Sequence, residues 1–250
     1  MNVQEATTRR LPDLKERHLP ENCRETINTI LKETYGYEQF RNLEIYDDLS
    51  KGKEKLCISQ GQLIENVILE AEKAWKGETQ VDNILLTAPT GSGKSLLFQL
   101  PAIYLGKEYN LLTIVVSPLK ALIVDQVESL QELGYMRVAY ASSDLSPEQK
   151  MEVYRQVREG EIDLFYLSPE LLLSYDIKHF VGERRIGLVV VDEAHTVTTW
   201  GKEFRVDYWF LGRYLTALKQ TLGYNFPLFA LTATAVWNLS LIHISEPTRH

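Results

Sequence analysis

The stretch "NILLTAPTGSGKSLLFQLPA", residues 83–102, joins a short apolar run to a longer helical pattern through a loop with two glycines. The apolar run has the length of a buried strand, and the residues after Ser95 favour a helix. Gly91 and Gly93 let backbone N–H groups turn toward an anion, and the helix start adds the positive end of its dipole. This order of strand, loop and helix predicts an α/β fold with a phosphate site.

The loop "APTGSGKS", residues 88–95, predicts a nucleotide site, and we call it the phosphate loop. Lys94 can reach the terminal phosphates of a nucleotide, and Ser95 is placed to bind Mg²⁺. The first position of the pattern is Ala88 instead of glycine, so the stretch fits the looser form of the motif. The alternative interpretation is a simple glycine turn. The residues predicted to contact the nucleotide are Thr90, Gly91, Ser92, Gly93, Lys94 and Ser95.

Outward from this loop, short β-branched runs alternate with longer helical patterns. Such alternation predicts a central parallel sheet flanked by helices, and continuously apolar strands predict that both faces are covered. We therefore predict one α/β domain over residues 81–238. The six runs are "NILLT" 83–87, "LTIVVS" 112–117, "RVAYAS" 137–142, "IDLFYLS" 162–168, "IGLVVV" 186–191 and "PLFALT" 227–232.

Residues 1–80 have a different pattern. Helical patterns lie near 21–34 and 60–76, and the polar connector "DDLSKGKEK" at 47–55 is typical of an exposed loop. We expect a helical N-terminal segment ahead of the sheet.

The composition excludes several classes of protein. A hydrophobic content of 44% and a charged content of 24% are typical of soluble globular proteins, and the apolar runs are too short to cross a membrane. The net charge of −7 disfavours indiscriminate nucleic-acid binding, so such binding needs a local basic patch. Cys23 and Cys57 have neither metal spacing nor a disulfide framework, which favours a reducing, cytoplasmic location.

An acidic pair, Asp192 and Glu193, follows the run at 186–191. Ligands of open parallel sheets bind at the carboxyl ends of the strands, where this pair and the phosphate loop both fall. Asp192 is predicted to hold Mg²⁺ through water, and Glu193 to orient and deprotonate the water that attacks in phosphoryl transfer. A lone acidic pair after a strand is more often a solvated turn, but the loop at Lys94 favours the functional interpretation.

Five motifs occur in the order and approximate spacing of the superfamily-two helicases. In detail, residues 83–235 resemble the first motor lobe of RecQ-type DNA helicases. The resemblance implies a RecA-like fold, ATP and Mg²⁺ as cofactors, and unwinding of single-stranded or forked DNA with 3′ to 5′ polarity. It also implies a second RecA-like lobe beyond this chain. The motifs are "APTGSGKSLLFQLPA", "VVSPLKALIVDQV", "DLFYLSPELLL", "VVDEAHTVTTWGKEFRVDYWFLG" and "ALTATA".

Two other functions share the nucleotide chemistry. One is an RNA helicase or a translocase that does not unwind, and the other is a silent nucleotide-binding scaffold in a defence or repair complex. The intact Lys94, Asp192 and Glu193 argue against a silent scaffold.

The stretch "WGKEFRVDYWFLG" is similar to the aromatic-rich loop of RecQ-type helicases and favours the DNA branch. It implies stacking of bases on Trp200 or Phe204 and a phosphate or cation–π contact from Arg205. The alternative is that these aromatics pack under the following helix. The stretch departs from the usual loop at Thr199, Lys202 and Val206. His195, directly after the acidic pair, is implied to couple the two sites.

Other candidate residues are also implied by the resemblance. Ser117 with Pro118, and Ser168 with Pro169, are predicted to cap helix starts whose free N–H groups, with Lys120, face a nucleic-acid backbone. Thr232 and Thr234 are expected to bridge the acidic motif to the nucleic-acid side. Capping alone and the preference of threonine for strands are the alternatives. The list of these residues is Ser117, Lys120, Ser168, Thr232 and Thr234.

The stretch "YGYEQFR" at 35–41 looks like an adenine-recognition motif, which normally continues to a glutamine. Here an insertion separates it from Gln62, whose carboxamide can both donate to and accept from the adenine edge. We predict that Gln62 reads the base. Tyr37 or Phe40 could stack on the base, and the alternative for both is packing between helices.

The last twelve residues, "LSLIHISEPTRH" at 239–250, resemble a translated sequencing adapter. We expect that this tail is foreign and that the natural chain was interrupted near Asn238. The alternative is a native strand followed by a polar end.

Overall fold

The structure, a computed structural model, describes residues 19–46, 55–88, 91–194 and 201–232. Helices and strands follow one another as the sequence pattern predicts from residue 84 onward. In chain order the elements are α1 Glu25–Tyr35, β1 Asn42–Tyr46, β2 Lys55–Ser59, α2 Gln60–Trp75, β3 Ile84–Thr87, α3 Leu96–Tyr109, β4 Leu112–Val116, α4 Lys120–Glu132, β5 Val138–Ala141, α5 Pro147–Arg158, β6 Leu164–Leu167, α6 Pro169–Ser174, α7 Ile177–Val181, β7 Ile186–Val191, α8 Gly201–Leu222 and β8 Leu228–Thr232.

Within the described ranges, six strands form one sheet in the order β3-β8-β7-β4-β6-β5. All neighbouring strands are parallel. Each of the six predicted runs contains one of these strands, so the predicted α/β fold is confirmed. β4, β6, β7 and β8 are buried at every position, as expected for strands that helices cover on both faces.

Two apolar clusters lie on opposite faces of the sheet because successive strand residues point to opposite sides. On one face Val190 and Phe229 pack with residues of α1 to α4. On the other face Val189 and Leu228 pack with residues of α5 to α8. The sheet is therefore the middle layer of three. None of the described helices is long and apolar enough to span a membrane.

The N-terminal part contains more than the helices that its sequence predicts. α1 and α2 are present, but β1 and β2 also form an antiparallel hairpin in which Asn42 pairs with Ser59 and Tyr46 with Lys55. The predicted helices are therefore present, and the hairpin between them was not predicted. The hairpin had a sequence signal, the alternation of apolar and polar residues in "NLEIY" and "KLCIS", which the long polar connector between them obscured. Most of that connector, residues 47–54, lies outside the described ranges.

A partly buried ion-pair network attaches the start of α1 to α2. The Arg24 guanidinium donates to the carboxylates of Glu65 and Glu72, each at 2.6 Å. The backbone N–H of Arg24 also donates to Glu65 at 3.0 Å. Because both carboxylates are on α2, this network fixes α1 against the helix that begins beside the phosphate loop. The division into residues 1–80 and 81–238 stays a prediction, and Ile27, Ile64 and Leu97 share one buried cluster across it.

Candidate active site at the carboxyl edge of the sheet

The phosphate loop lies between β3 and α3, as predicted. Gly91 and Gly93 have φ angles of +81° and +77°, which L side chains rarely adopt. The Lys94 ammonium donates to the carbonyl oxygen of Ala88 at 3.1 Å, so the lysine folds back over the loop. Pro89 and Thr90 lie outside the described residues, and the predicted role of Thr90 stays a prediction.

Gln60, which the sequence analysis did not single out, supports this loop. Its side chain is 3% exposed, and its Nε2 donates to the carbonyl oxygen of Ser92 at 3.2 Å. Its Oε1 accepts a hydrogen bond from the backbone N–H of Arg41 at 3.1 Å. A Cβ atom at Gly93 would lie only 2.7 Å from Gln60 Nε2. Gln60 therefore supports the loop through Ser92 and leaves little room for a Cβ atom at position 93, where the positive φ angle already favours glycine.

Gln62 lies in a capping box at the start of α2. Its Oε1 accepts from the backbone N–H of Ser59 at 3.1 Å, and its Nε2 donates to the carbonyl oxygen of Pro20 at 3.1 Å. A carboxamide has two acceptor positions and two N–H groups, so each end keeps one hydrogen-bonding position. The predicted contact with adenine is compatible with this geometry and stays a prediction. Tyr37, an alternative base contact, is half exposed and stacks on Tyr35 with ring centroids 6.3 Å apart.

The acidic pair follows β7, near the centre of the sheet. Asp192 is 4% exposed, and its Oδ1 accepts from the backbone N–H of Glu193 at 2.9 Å. Glu193 has a φ angle of +48°, in the left-handed region that a non-glycine residue seldom occupies. This backbone turns the chain sharply after the strand. The next N–H, that of Ala194, donates to the carbonyl oxygen of Leu231 on β8 at 2.8 Å.

The electrostatics connect the acidic pair to the phosphate loop. Burial, together with the neighbouring charge of Glu193, raises the pKa of Asp192 to about 6. The positive charge of Lys94 acts in the opposite direction on the same pKa. The lysine and the two carboxylates therefore share one local field, as a site for a nucleotide and a cation requires.

The residues around Asp192 fit a magnesium ion. Mg²⁺ prefers oxygen ligands and is usually held by one or two carboxylates together with substrate phosphates. In the described part of the chain no group of three or more histidine, cysteine or acidic side chains could hold a metal alone. A buried carboxylate with a second carboxylate beside it is stabilised by a cation, and the Ser95 hydroxyl, at the start of α3, is the oxygen donor that the sequence predicts in addition. A metal that arrives with phosphate matches this donor set.

The predicted helix cap at Ser117 was wrong. α4 begins at Lys120 with Leu119 at the N-cap position, two residues later than predicted. Ser117 instead ends the strand region, where its N–H donates to the carbonyl oxygen of Leu167 at 3.1 Å. Its Oγ is buried and has no hydrogen-bond partner among the described residues. Sequence placed the helix too early because serine followed by proline is a common helix start, whereas here pairing to β6 extends the strand conformation.

Lys120 has an acidic partner that the sequence pattern did not indicate. Its ammonium forms an ion pair with the carboxylate of Asp144, in the turn after β5, and both side chains are largely exposed. A nucleic-acid phosphate at Lys120 would therefore compete with Asp144.

Ser168 and Thr232 lie at the same edge of the sheet. Ser168 caps α6, as predicted, because its Oγ accepts from the backbone N–H of Leu171 at 3.3 Å. Thr232 is fully buried at the end of β8, and its carbonyl oxygen accepts from the N–H of Ala88 at 3.0 Å. β8 thus contacts the start of the phosphate loop through Thr232 and the acidic motif through Leu231. The bridging role of the Thr232 hydroxyl stays a prediction.

Several predicted residues lie outside the described part of the chain. They are His195, Trp200 and Thr234, together with the tail from 239 to 250. Phe204 and Arg205 belong to α8, whose backbone is described there while their side chains are not. The predicted nucleic-acid contacts of these residues stay predictions.

Comparison with known proteins shows similarity to helicases. Residues 64–241 match the DEAD/DEAH box helicase family. The ATP-dependent DNA helicase RecQ of Synechocystis sp. is 35% identical over 217 residues, which are 85% of this chain and 38% of that protein. The ATP-dependent DNA helicase RecQ of Haemophilus influenzae is 31% identical over 210 residues, which are 84% of this chain and 28% of that protein.

Solved structures give the same fold. The crystal structure of the DUF1998 helicase MrfA bound to DNA and AMPPNP matches with a TM-score of 0.57 at 20% identity, over 91% of this chain and 28% of that one. At this identity the likeness concerns the fold. The chain spans well under half the length of the relatives that it matches.

Proposed function

Because this chain belongs to the DEAD/DEAH box helicase family, we propose that it is the ATP-binding lobe of a RecQ-like, ATP-dependent DNA helicase. One observation carries the proposal. The phosphate loop and the acidic pair lie at one edge of the parallel sheet, where Thr232 and Leu231 of β8 accept hydrogen bonds from Ala88 and Ala194. The charge of Lys94 also opposes the rise in the pKa of Asp192. The similarity to RecQ helicases, at 31–35% identity over most of this chain, supports the choice of DNA as the substrate.

The proposed chemistry assigns one task to each side chain. Lys94 leaves the Ala88 carbonyl and binds the terminal phosphates, which offer a stronger, charge-assisted hydrogen bond. Ser95, and Asp192 through water, would hold Mg²⁺, which would supply positive charge to neutralise the charge that develops on the phosphate in the transition state. Glu193 orients the attacking water and accepts its proton.

A second RecA-like lobe completes the proposed enzyme. Phosphoryl transfer in such motors needs an arginine that stabilises the transition state, a contribution worth about 10³–10⁵ in rate. We propose that this arginine comes from the second lobe, which the longer relatives have room to carry. The 250-residue chain then binds nucleotide but turns it over very slowly.

The nucleic-acid track is proposed to run along the carboxyl edge of the sheet. Lys120 at the start of α4 and the start of α6 at Ser168 follow the neighbouring strands β4 and β6. The aromatic loop at Trp200 follows β7 on the other side of β4, and it supplies stacking platforms for single-stranded bases. A cytoplasmic location and a role in DNA repair belong to the same proposal, which two free cysteines among the described residues and the RecQ likeness support.

The experiment that tests the proposal uses the full-length protein, by which we mean this chain together with its proposed second lobe. It measures ATP hydrolysis by that protein alone, with single-stranded DNA, and with single-stranded RNA of the same length. Strong stimulation by DNA and weak stimulation by RNA is expected, together with unwinding of a forked duplex that has a 3′ tail. Preferential stimulation by RNA would favour the RNA-helicase alternative. DNA-stimulated hydrolysis without unwinding would favour a translocase, and intact nucleotide binding without hydrolysis would favour a silent scaffold.

A further inference from the structure

Five polar side chains form one continuous chain of hydrogen bonds that ends on the acidic pair. Tyr35 Oη donates to Gln99 Oε1 at 2.9 Å, and Gln99 Nε2 donates to Tyr166 Oη at 3.2 Å. Tyr166 Oη donates to Gln126 Oε1 at 2.9 Å, and Gln126 Nε2 donates to Asp192 Oδ2 at 3.4 Å. We refer to these five side chains as the polar relay.

All four hydrogen bonds of the polar relay point the same way, toward the Asp192 carboxylate. This direction is self-consistent because the ionised carboxylate can only accept, and the Tyr166 hydroxyl, which accepts from Gln99, is left to donate to Gln126. A reversed Gln126 amide would place its oxygen against the carboxylate and its N–H₂ group against the hydroxyl hydrogen of Tyr166. Tyr166 therefore fixes the amide in the orientation that donates to Asp192.

The relay runs through the core, where a polar group without a hydrogen-bond partner costs free energy. Tyr166 is fully buried, and Gln99 is 5% exposed. Burial raises the pKa of both Tyr35 and Tyr166 above its usual range, so both hydroxyls keep their protons and act as donors. Aligned hydrogen bonds in a medium of low polarity polarise and strengthen one another.

The relay connects elements that bear the proposed nucleotide and nucleic-acid contacts. Gln99 is on α3, the helix that follows the phosphate loop, and Tyr166 is on β6, two residues before Ser168. Gln126 is on α4, less than two helical turns from Lys120. The Asp192 carboxylate is held on both oxygens, by the N–H of Glu193 on Oδ1 and by Gln126 on Oδ2. Only the second of these contacts comes from a different element.

We propose that Gln126 is a positioning residue for Asp192 and that Tyr166, through the polar relay, holds Gln126 in the donating orientation and thereby sets the Mg²⁺ dependence of nucleotide binding. This inference rests on the proposed function, because it assigns Asp192 to the metal. Without the contact from Gln126, the carboxylate can rotate about its χ2 torsion, and the geometry that Mg²⁺ demands is less populated. Partners that orient a metal ligand typically affect metal affinity by about 10–100-fold.

The test uses the 250-residue chain and a non-hydrolysable ATP analogue. Binding is measured over a Mg²⁺ titration and, separately, in the presence of EDTA. Tyr166→Phe removes one hydroxyl and keeps the ring, and we expect the Mg²⁺ concentration for half-maximal binding to rise by about 3–10-fold. Affinity in EDTA should stay within about twofold of the unmodified chain, since the phosphate loop is unchanged. A merely structural loss would lower both affinities together.

Tyr135→Phe is the matched control. Its hydroxyl is also buried and donates to a carboxylate, that of Asp163, at 2.8 Å, but neither residue belongs to the relay. This variant should lose stability comparable to Tyr166→Phe and leave the Mg²⁺ midpoint unchanged. Gln126→Met, which removes the amide at similar volume, should shift the midpoint at least as far as Tyr166→Phe. Tyr35→Phe changes the half-buried end of the relay that is farthest from Asp192, and it should shift the Mg²⁺ midpoint least.

The outcomes separate the inference from the proposed function. If the unmodified chain binds the analogue with Mg²⁺, and Tyr166→Phe, Tyr35→Phe and Gln126→Met all match Tyr135→Phe, the relay has no positioning role and only the inference is overturned. If the unmodified chain shows no Mg²⁺-dependent binding, the proposed function fails and the inference falls with it. Should Tyr166→Phe fail to fold, the shift in Tyr35→Phe and Gln126→Met decides in the same way.

Discussion

The side-chain amide of Gln60 donates a hydrogen bond to the carbonyl oxygen of Ser92 at 3.2 Å, which attaches the first residue of α2 to the phosphate loop. The same side chain accepts from the backbone N–H of Arg41, just before the hairpin. The network of Arg24 with Glu65 and Glu72 in turn fixes α2 against the N-terminal segment. The N-terminal segment therefore supports the curvature of the loop before any nucleotide binds, which lowers the ordering cost of binding.

Gln60 and Gln62 should differ in what their loss does to nucleotide binding. Gln60→Ala removes support from the phosphate loop, so we expect the affinity for ATP and GTP to fall equally, by about fivefold for the loss of one buried hydrogen bond. Gln62→Ala should lower the affinity for ATP more than that for GTP, if Gln62 reads the adenine edge as predicted. Calorimetric titration of both variants with both nucleotides measures the difference.

Loss of stability alone does not distinguish these two variants, so the ratio of ATP to GTP affinity is the informative quantity. Gln62→Ala breaks a capping box, and Gln60→Ala leaves the Arg41 N–H and the Ser92 carbonyl without their partner, so both should lower the melting temperature. Loss of base preference in Gln60→Ala, with normal preference in Gln62→Ala, would exchange the roles assigned to the two glutamines.

Gly93→Ala should destabilise the chain through two effects. Alanine in the left-handed region costs about 1–2 kcal/mol, and its Cβ would lie 2.7 Å from Gln60 Nε2. Gly91→Ala is the matched control, because its φ angle is similar and nothing lies within 4 Å of a Cβ there. Thermal unfolding without nucleotide should show a larger decrease in melting temperature for Gly93→Ala than for Gly91→Ala. In a Gln60→Ala background the excess should disappear, whereas a persistent excess would mean that Gln60 does not restrict position 93.

Lys94→Ala and Glu193→Gln should separate binding from chemistry. Lys94→Ala removes a charge-assisted contact to phosphate, so ATP affinity should fall by about 10–100-fold. Glu193→Gln keeps the side-chain shape, and the full-length protein should bind ATP normally while its turnover falls by about 100-fold or more. Calorimetry gives the affinities and phosphate release gives the turnover. Equal loss of affinity in both variants would contradict these roles.

The features whose positions the structure confirms depend on local patterns. Continuous apolar runs predict buried strands, and the glycine-rich stretch predicts a loop between a strand and a helix. The carboxyl ends of parallel strands share one edge, which places Asp192 near Lys94 without knowledge of the strand order. These inferences needed no contact between distant residues.

The parts that the sequence did not predict depend on distant contacts. Gln60 meets Ser92 across 32 residues and Gln126 meets Asp192 across 66, and glutamine at these positions has no distinctive pattern. Ser117 was misassigned because pairing with β6 overrides the local preference of serine and proline for a helix start. The ion pair between Lys120 and Asp144 needed the turn after β5 to be placed beside α4.

Asp144 should limit the affinity of this lobe for nucleic acid. Asp144→Asn releases Lys120 from its ion pair, so binding of single-stranded DNA by the 250-residue chain should strengthen by about two- to threefold at low salt. The gain should vanish at about 0.5 M salt, where exposed charges are screened. Glu38→Gln is the control, because Glu38 also forms an exposed ion pair, with Lys32 at 2.9 Å. Fluorescence anisotropy measures the DNA affinity of both variants. An equal gain in the control would show that the effect comes from net charge alone.

Trp200→Ala should uncouple DNA binding from hydrolysis in the full-length protein. Only six residues separate Trp200 from Glu193, whose strained backbone conformation makes its orientation sensitive to the chain that follows. Stacking of a base on Trp200 is worth about 1–3 kcal/mol, enough to shift the position of this segment when DNA binds. We expect basal ATP hydrolysis and the melting temperature to stay near those of the unmodified protein, while stimulation by single-stranded DNA and unwinding are mostly lost. Full stimulation in Trp200→Ala, or its unfolding, would instead indicate that this tryptophan packs in the core.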